Sequence, residues 1–262
     1  MTFRLALAQV KDPGDGDVIA LVGRFAAQAK ERGAELVAFP ESLMTRYGLD
    51  RDAFIAKAQP LDGPFATAVE EIAAEQGIWM LYTANEFNPY GNPFNTAVLV
   101  DDEGTRRGVY RKVHLFDTDF TRESEKMAPG SELFEPVETP FARIGLGICY
   151  DLRFPELSRT AARADADLLL FPAAWVDGPD KLDHWLTLLR ARAIENEVFV
   201  AGICRADEGR VGHSCIIDPL GHILAEAGGD EEELVVGDID LDAMVRARKA
   251  MPILDHVRDD LY

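Results

Sequence analysis

The sequence predicts an α/β fold, on three observations. Apolar runs of strand length alternate with helical patterns along all 262 residues. DDEG (101–104) and DPLG (218–221) read as hairpin turns between such runs. LALAQV, a helix and GAELVAFPE are also echoed by IGLGICY, a helix and DADLLLFPA, and both second strands run into Phe-Pro. Two such β-α-β units suggest two sheets related by a pseudo-twofold, each faced by helices. Their spacing is not tandem, which argues against a solenoid.

In chain order, FRLALAQ (3–9) is the first strand, followed by a helix over 17–31 and the strand AELVAFP (34–40). Asp62 and Pro64 open a helix that Gly77 closes, as an N-cap, an early proline and a terminal glycine should. IWMLYTAN (78–85), NTAVLVD (95–101) and GVYRKVHLF (108–116) follow as strands. In the last of these, Tyr110, Lys112 and His114 share one face and Arg111 and Val113 the other. ARIGLGICY (142–150), DLLLFPA (167–173), VFVAGIC (198–204), HSCIIDP (213–219), HILAEA (222–227) and ELVVGDI (233–239) complete the strands. Helices are predicted over 155–164, 183–195 and 241–250. With no linker, repeat array or composition break, the chain reads as one domain over 1–262. The charge run GGDEEEL (228–234) is a solvated turn.

Composition narrows the function. Lys and Arg total 27 against 46 Asp and Glu, a formal net charge of −19. Such a balance excludes nucleic acid and anionic membrane as partners, because both are bound through clustered cations. An anionic substrate would need a local cation. Three cysteines do not make a disulfide framework. MTFRLALAQV reads as a strand and not as a signal peptide, and no apolar run approaches membrane-span length. The expected location is the cytoplasm.

The chemistry centres on GICYDLRFPEL (147–157), where Cys149 ends an apolar run among acids and an arginine. A lone cysteine is most often a small buried hydrophobe, the reading kept for Cys204 and Cys215. Cys149 differs by its place at a strand end, where a following helix could favour a thiolate. The five histidines are scattered and lack metal-site spacing, so no metal is expected. Glu41, in FPES, is either a helix-start acid or a base whose pKa desolvation raises toward neutrality. Lys112 is either a surface strand lysine or an inward cation that pairs with carboxylate or holds developing negative charge.

FPES with Glu41, YRKVHLFD with Lys112 and GICYDLRFPEL with Cys149 resemble the three signature blocks of the nitrilase, or carbon–nitrogen hydrolase, superfamily, in order and spacing. The resemblance implies a four-layer αββα sandwich of two mixed sheets, a homodimer or higher homo-oligomer, and no metal or organic cofactor. It further implies Cys149 as nucleophile, Glu41 as general base, and Lys112 with the Tyr150 backbone N–H as oxyanion donors. Glu123, in TRESEKMAPG, matches a second glutamate that positions substrate and Lys112.

Among amidases of this superfamily, the chain is most similar to the omega-amidases and deaminated-glutathione amidases. The implied partner is thus a small-molecule amide with a carboxylate. Arg153 is the first candidate to hold that carboxylate, the alternative being a salt bridge to Asp151 or Glu156. Arg46 and Tyr47 lie just past the base and are further substrate-binding candidates. Trp175 and Phe116 either close the apolar side of the pocket or belong to the core. An N-carbamoyl amino acid amidohydrolase, an aliphatic amidase and a non-catalytic scaffold are the rival readings.

Overall fold

The structure is a computed structural model that describes residues 1–14, 17–45, 49–258 and 260–261. The first half contains β1 (Thr2–Gln9), α1 (Val18–Glu31), β2 (Leu36–Ala38), α2 (Arg51–Ala56) and α3 (Pro64–Gln76). It continues through β3 (Trp79–Glu86), β4 (Phe94–Val100) and β5 (Arg106–Arg111). The second half contains β6 (Val137–Glu138), β7 (Arg143–Leu146), α4 (Pro155–Arg163), β8 (Leu168–Ala173) and α5 (Lys181–Asn196). Then come β9 (Phe199–Cys204), β10 (Cys215–Ile217), β11 (Ile223–Glu226), β12 (Glu233–Asp240) and α6 (Leu241–Ala250).

These strands form two six-stranded mixed sheets, ordered β12-β1-β2-β3-β4-β5 and β11-β10-β9-β8-β7-β6. In each sheet three parallel strands carry one antiparallel strand on one side and two on the other. The echoed units, β1-α1-β2 and β7-α4-β8, occupy equivalent places in the two sheets, as the pseudo-twofold predicted.

The side-chain period of two decides the layers. Leu5 and Leu7 of β1 join a core cluster with residues of β7, β8 and β9, whereas Ala6 and Ala8 join Val22 and Phe25 of α1 and Val69 of α3. Burying each leucine stabilises the fold by about 1.5–3 kcal/mol. Phe141 packs on Phe3 and Trp79, at ring-centroid distances of 4.7 and 5.7 Å, and so joins the inner faces of the two sheets. α4 and α5 cover the outer face of the second sheet, giving the four layers αββα.

Local signals account for most boundaries. Gly77 ends α3 in the left-handed conformation at φ 58°, and the turns after β4 and β10 close by Gly104 N–H to Asp101 O and Gly221 N–H to Asp218 O. α3 is capped by Gly63 and not by Asp62; Pro64 sits at its first turn and no side chain caps it. β5 ends at Arg111, so Lys112 lies just past the strand and not within it. Its N–H still bonds Asn95 O at 2.9 Å, but its carbonyl accepts from Gly130 N–H at 2.8 Å and leaves the β4 ladder. β7 likewise ends at Leu146, and Cys149–Arg153 form a 3-10 turn in place of the predicted strand end. Among the described residues no helix is long and apolar enough to cross a membrane.

Gly202 of β9 shows how closely α5 packs. A Cβ there would lie 2.5 Å from the Trp185 ring and 2.6 Å from Leu189. Trp185 is fully buried and donates its Nε1–H to His213 O at 3.0 Å, which restricts its ability to yield. Gly202→Ala is expected to destabilise the fold by about 1–3 kcal/mol through overpacking. Urea unfolding checks this, the expected result being a lower midpoint than the parent's.

Candidate active site

Strand ends from both sheets meet at one buried cluster. Glu41 follows β2 across Phe39-Pro40 and is 4% exposed. Its Oε1 accepts from Asn95 Nδ2 at 2.7 Å and from Lys112 Nζ at 2.9 Å, and its Oε2 from Ala174 N–H at 2.8 Å. Lys112 is 1% exposed. Its ammonium also donates to both carboxylate oxygens of Glu123, at 3.0 and 2.8 Å. Glu123 sits on a 3-10 turn and accepts the Phe116 N–H at 2.6 Å. Every carboxylate oxygen in the cluster therefore has at least one donor, as buried charge requires.

Cys149 completes the cluster at the start of its 3-10 turn. Its φ of 49° places a non-glycine residue in the left-handed region, a strain of about 1–3 kcal/mol. The thiol lies close enough to Glu41 for each to shift the other's titration, and the Tyr150 N–H lies in the first turn, where backbone donors lack intrahelical acceptors.

Electrostatics sets the resting state. Burial pushes the Glu41 carboxyl up, but the Lys112 charge and hydrogen bonds from Lys112, Cys149 and Ala174 outweigh it and hold the group below the ordinary carboxylate range. The expected rise of Glu41 toward neutrality is therefore overturned: desolvation acts, but the ammonium beside it wins. Burial pushes the Lys112 ammonium down, whereas Glu41, Glu123 and the Cys149 charge raise it well above an ordinary lysine. Burial and then Glu41 push the Cys149 thiol well up, against the opposing pull of Lys112. Cys149 thus rests as a thiol beside an ionised carboxylate, and the short turn does not make it a thiolate. Burial also pushes the Cys204 thiol up to about 12, and Cys215 is buried and raised as well, in keeping with core cysteines.

The cluster forms the floor of a pocket of about 350 Å³. Phe116, Tyr150, Arg153 and Trp175 line its wall. Phe116 and Tyr150 meet edge to face at 5.1 Å. The Arg153 guanidinium lies 4.7 Å over the Trp175 ring, and among the described residues it forms no ion pair with Asp151 or Glu156. Asp151 instead takes donors from Tyr110, His114 and Ile148. Arg46 and Tyr47 lie outside the described residues.

Some lining residues escaped sequence reasoning. Arg122, Lys126, Lys181 and Arg210 add cations to the wall, and Lys181 Nζ lies 5.8 Å from the centre of the Phe116 ring. Asn95, which fixes Glu41, carried one usable signal: an amide within the apolar strand NTAVLV needs a buried partner.

The sign of the charge coupling is testable. A depressed Glu41 pKa contributes stability that is present above the ordinary carboxylate pKa and lost as pH falls through the folded value. The raised Lys112 pKa contributes stability below the ordinary lysine pKa, lost as pH rises through its folded value. Lys112→Met strands the buried Glu41 carboxylate beside the partly buried Glu123 and is expected to destabilise by about 3–5 kcal/mol at pH 7. Glu41, then raised by burial, protonates on acidification. Urea unfolding of parent and variant should therefore show the difference shrinking from about pH 7 to about pH 5.

Comparison with known proteins places the chain in a family. The carbon-nitrogen hydrolase family model matches residues 4–249. The omega-amidase NIT2 of Homo sapiens is 35% identical over 274 residues, spanning 100% of this chain and 97% of its own length. Among solved structures, the C. elegans NitFhit protein matches with a TM-score of 0.90 at 32% identity, over 100% of this chain and 66% of that chain. An acrylamide complex of a double mutant of the amidase from Nesterenkonia sp. AN1 matches with a TM-score of 0.83 at 26% identity, over 99% of this chain and 95% of its own. The chain belongs to the carbon-nitrogen hydrolase family and is a hydrolase of carbon–nitrogen bonds other than peptide bonds.

Proposed function

We propose that the protein cleaves a small carboxylate-bearing amide, the omega-amide of a 2-oxo acid such as 2-oxoglutaramate, to acid and ammonia through a cysteine thioester. One observation carries the reading: Glu41, Lys112 and Cys149 share a buried cluster at the floor of a pocket whose wall holds Arg153. The likeness to an omega-amidase supports the substrate class.

Each step follows from the resting charges. Glu41, ionised and beside the thiol, takes the proton as Cys149 sulfur attacks the amide carbon. The oxyanion forms against the Lys112 ammonium and the Tyr150 N–H, while Glu123 holds Lys112 in place. Protonated Glu41 returns the proton to the departing nitrogen, ammonia leaves and a thioester remains. Water then attacks the thioester, Glu41 takes its proton, and the acid leaves as the proton passes back to sulfur. Because Cys149 rests as a thiol, the carboxylate must act at the moment of attack.

The substrate carboxylate meets Arg153, whose guanidinium is stacked on Trp175 and carries no acid partner among the described residues. This local cation answers the global charge of −19. Charge-assisted bidentate bonding would select an anionic amide over a neutral one.

Ammonia release from 2-oxoglutaramate, deaminated glutathione, an N-carbamoyl amino acid, propionamide and a nitrile ranks the substrate readings. 2-Oxoglutaramate is expected to turn over best, and a preference for propionamide would favour a plain aliphatic amidase. Cys149→Ala should be folded and inactive on every member; substantial turnover in it would remove the thiol mechanism. Arg153→Ala should raise KM for 2-oxoglutaramate about 10- to 100-fold and leave propionamide nearly unchanged. Equal effects on the two amides would show that Arg153 is no carboxylate clamp.

A further inference from the structure

Asp151 is fully buried two residues beyond Cys149, and none of the steps just described uses it. Its carboxylate gathers four hydrogen-bond partners from two separate segments. From its own turn, Ile148 N–H donates to Oδ2 at 2.8 Å. From the segment that carries Lys112, the Tyr110 hydroxyl donates to Oδ2 at 2.8 Å and the His114 N–H to Oδ1 at 3.1 Å. His114 Nδ1 lies a further 2.7 Å from Oδ1. Tyr110 and His114 stand two residues to either side of Lys112. One side chain therefore ties the nucleophile's turn, on the second sheet, to the lysine's segment, at the end of the first.

We propose that Asp151 is a positioning residue for hydrolysis, setting where the Cys149 thiol stands relative to the Lys112 ammonium. The inference rests on the proposed roles of those two residues. Further contacts hold the turn that carries Asp151. His114 stacks on Phe154 at 3.6 Å with planes 7° apart, and Phe154 ends the same turn. Arg192 of α5 is buried and donates to Leu152 O at 3.1 and 2.8 Å, holding the turn from the opposite side. Cys149 itself is strained at φ 49°, and such a conformation persists only where its surroundings over-determine it.

The chemistry of the acceptors explains why a carboxylate stands here. Both oxygens receive donors, and two of the four partners are backbone N–H groups that cannot turn away. An asparagine could accept at only one of the two positions; its NH₂ would face a backbone N–H, donor against donor. A misplacement of about 1 Å between reacting groups costs about 10²-fold in rate even when its origin lies outside the chemistry.

The test uses Asp151→Asn and Tyr110→Phe in the full chain, with the amide that the parent hydrolyses best. Far-UV circular dichroism and a thermal melt establish folding for each. Asp151→Asn is expected to lower kcat about 10²-fold, and Tyr110→Phe, which removes a single donor and keeps the ring, about tenfold. KM should stay within about threefold of the parent's in both, since neither residue faces substrate. The double variant should lose less than the product of the single losses, because both changes act on one network. If Asp151→Asn does not fold, Tyr110→Phe alone decides. A folded Tyr110→Phe whose kcat lies within about threefold of the parent's, or whose KM rises in step with its loss of rate, would overturn the proposal. Cys149-dependent turnover that ignores Asp151 would refute only the positioning role. Turnover that survives Cys149→Ala would refute the thiol mechanism, and the positioning role with it.

Discussion

A buried ammonium held between two carboxylates governs this structure. Lys112 has almost no contact with solvent, and its three donors all go to Glu41 and Glu123. Removing each ion from water costs several kcal/mol, and mutual attraction offsets this only when geometry is good and the spare lone pairs are bonded. The fold meets both conditions. Asn95 and the Ala174 N–H satisfy Glu41, and the Phe116 N–H satisfies Glu123. Three loops and two sheets are thereby committed to one point. Lys112 keeps Glu41 ionised, while burial and then the Glu41 charge keep Cys149 protonated against it, the pairing that the proposed carboxylate-assisted thiol attack requires.

The sandwich divides the work between its halves. The first sheet delivers Glu41 after β2 and Lys112 after β5, and the second delivers Cys149 after β7 and the Ala174 N–H after β8. These groups therefore sit beyond carboxyl ends of strands, where open α/β sheets leave a crevice. The first sheet supplies the Glu41–Lys112 ion pair and the second the thiol and the backbone donor, so neither holds the whole cluster alone. Packing of the two inner faces around Phe141 is thus a condition for assembling the cluster as well as for stability. The pocket above is cationic although the chain is acidic, so an anionic ligand meets a favourable field only at short range.

How much was legible in the sequence follows from what is local. The alternation in LALAQV and the end signals at Pro64 and Gly77 depend on neighbours a few residues away, so β1 and the ends of α3 could be read directly. Short pieces such as α2 and β6 lack the length for a period and went unread. The blocks holding Glu41, Lys112 and Cys149 were legible because their residue types and order are distinctive together. Asp151 was not, because it looks ordinary within its own segment, and the amide of Asn95 signalled only that it needs a buried partner, not which one.

The sequence by itself determined the α/β alternation, the repeated β-α-β unit and which side chains were candidates for chemistry. Only the tertiary structure decided their states and partners. It put Lys112 past its strand, lowered Glu41 where desolvation alone would have raised it, and stacked Arg153 on Trp175 while Asp151 turned to Tyr110 and His114. The reason is that pKa and pairing are sums over spatial neighbours. Glu41 has neighbours 71 and 133 residues away in sequence. Local pattern can name such a residue, but only folding brings together the charges that set what it does.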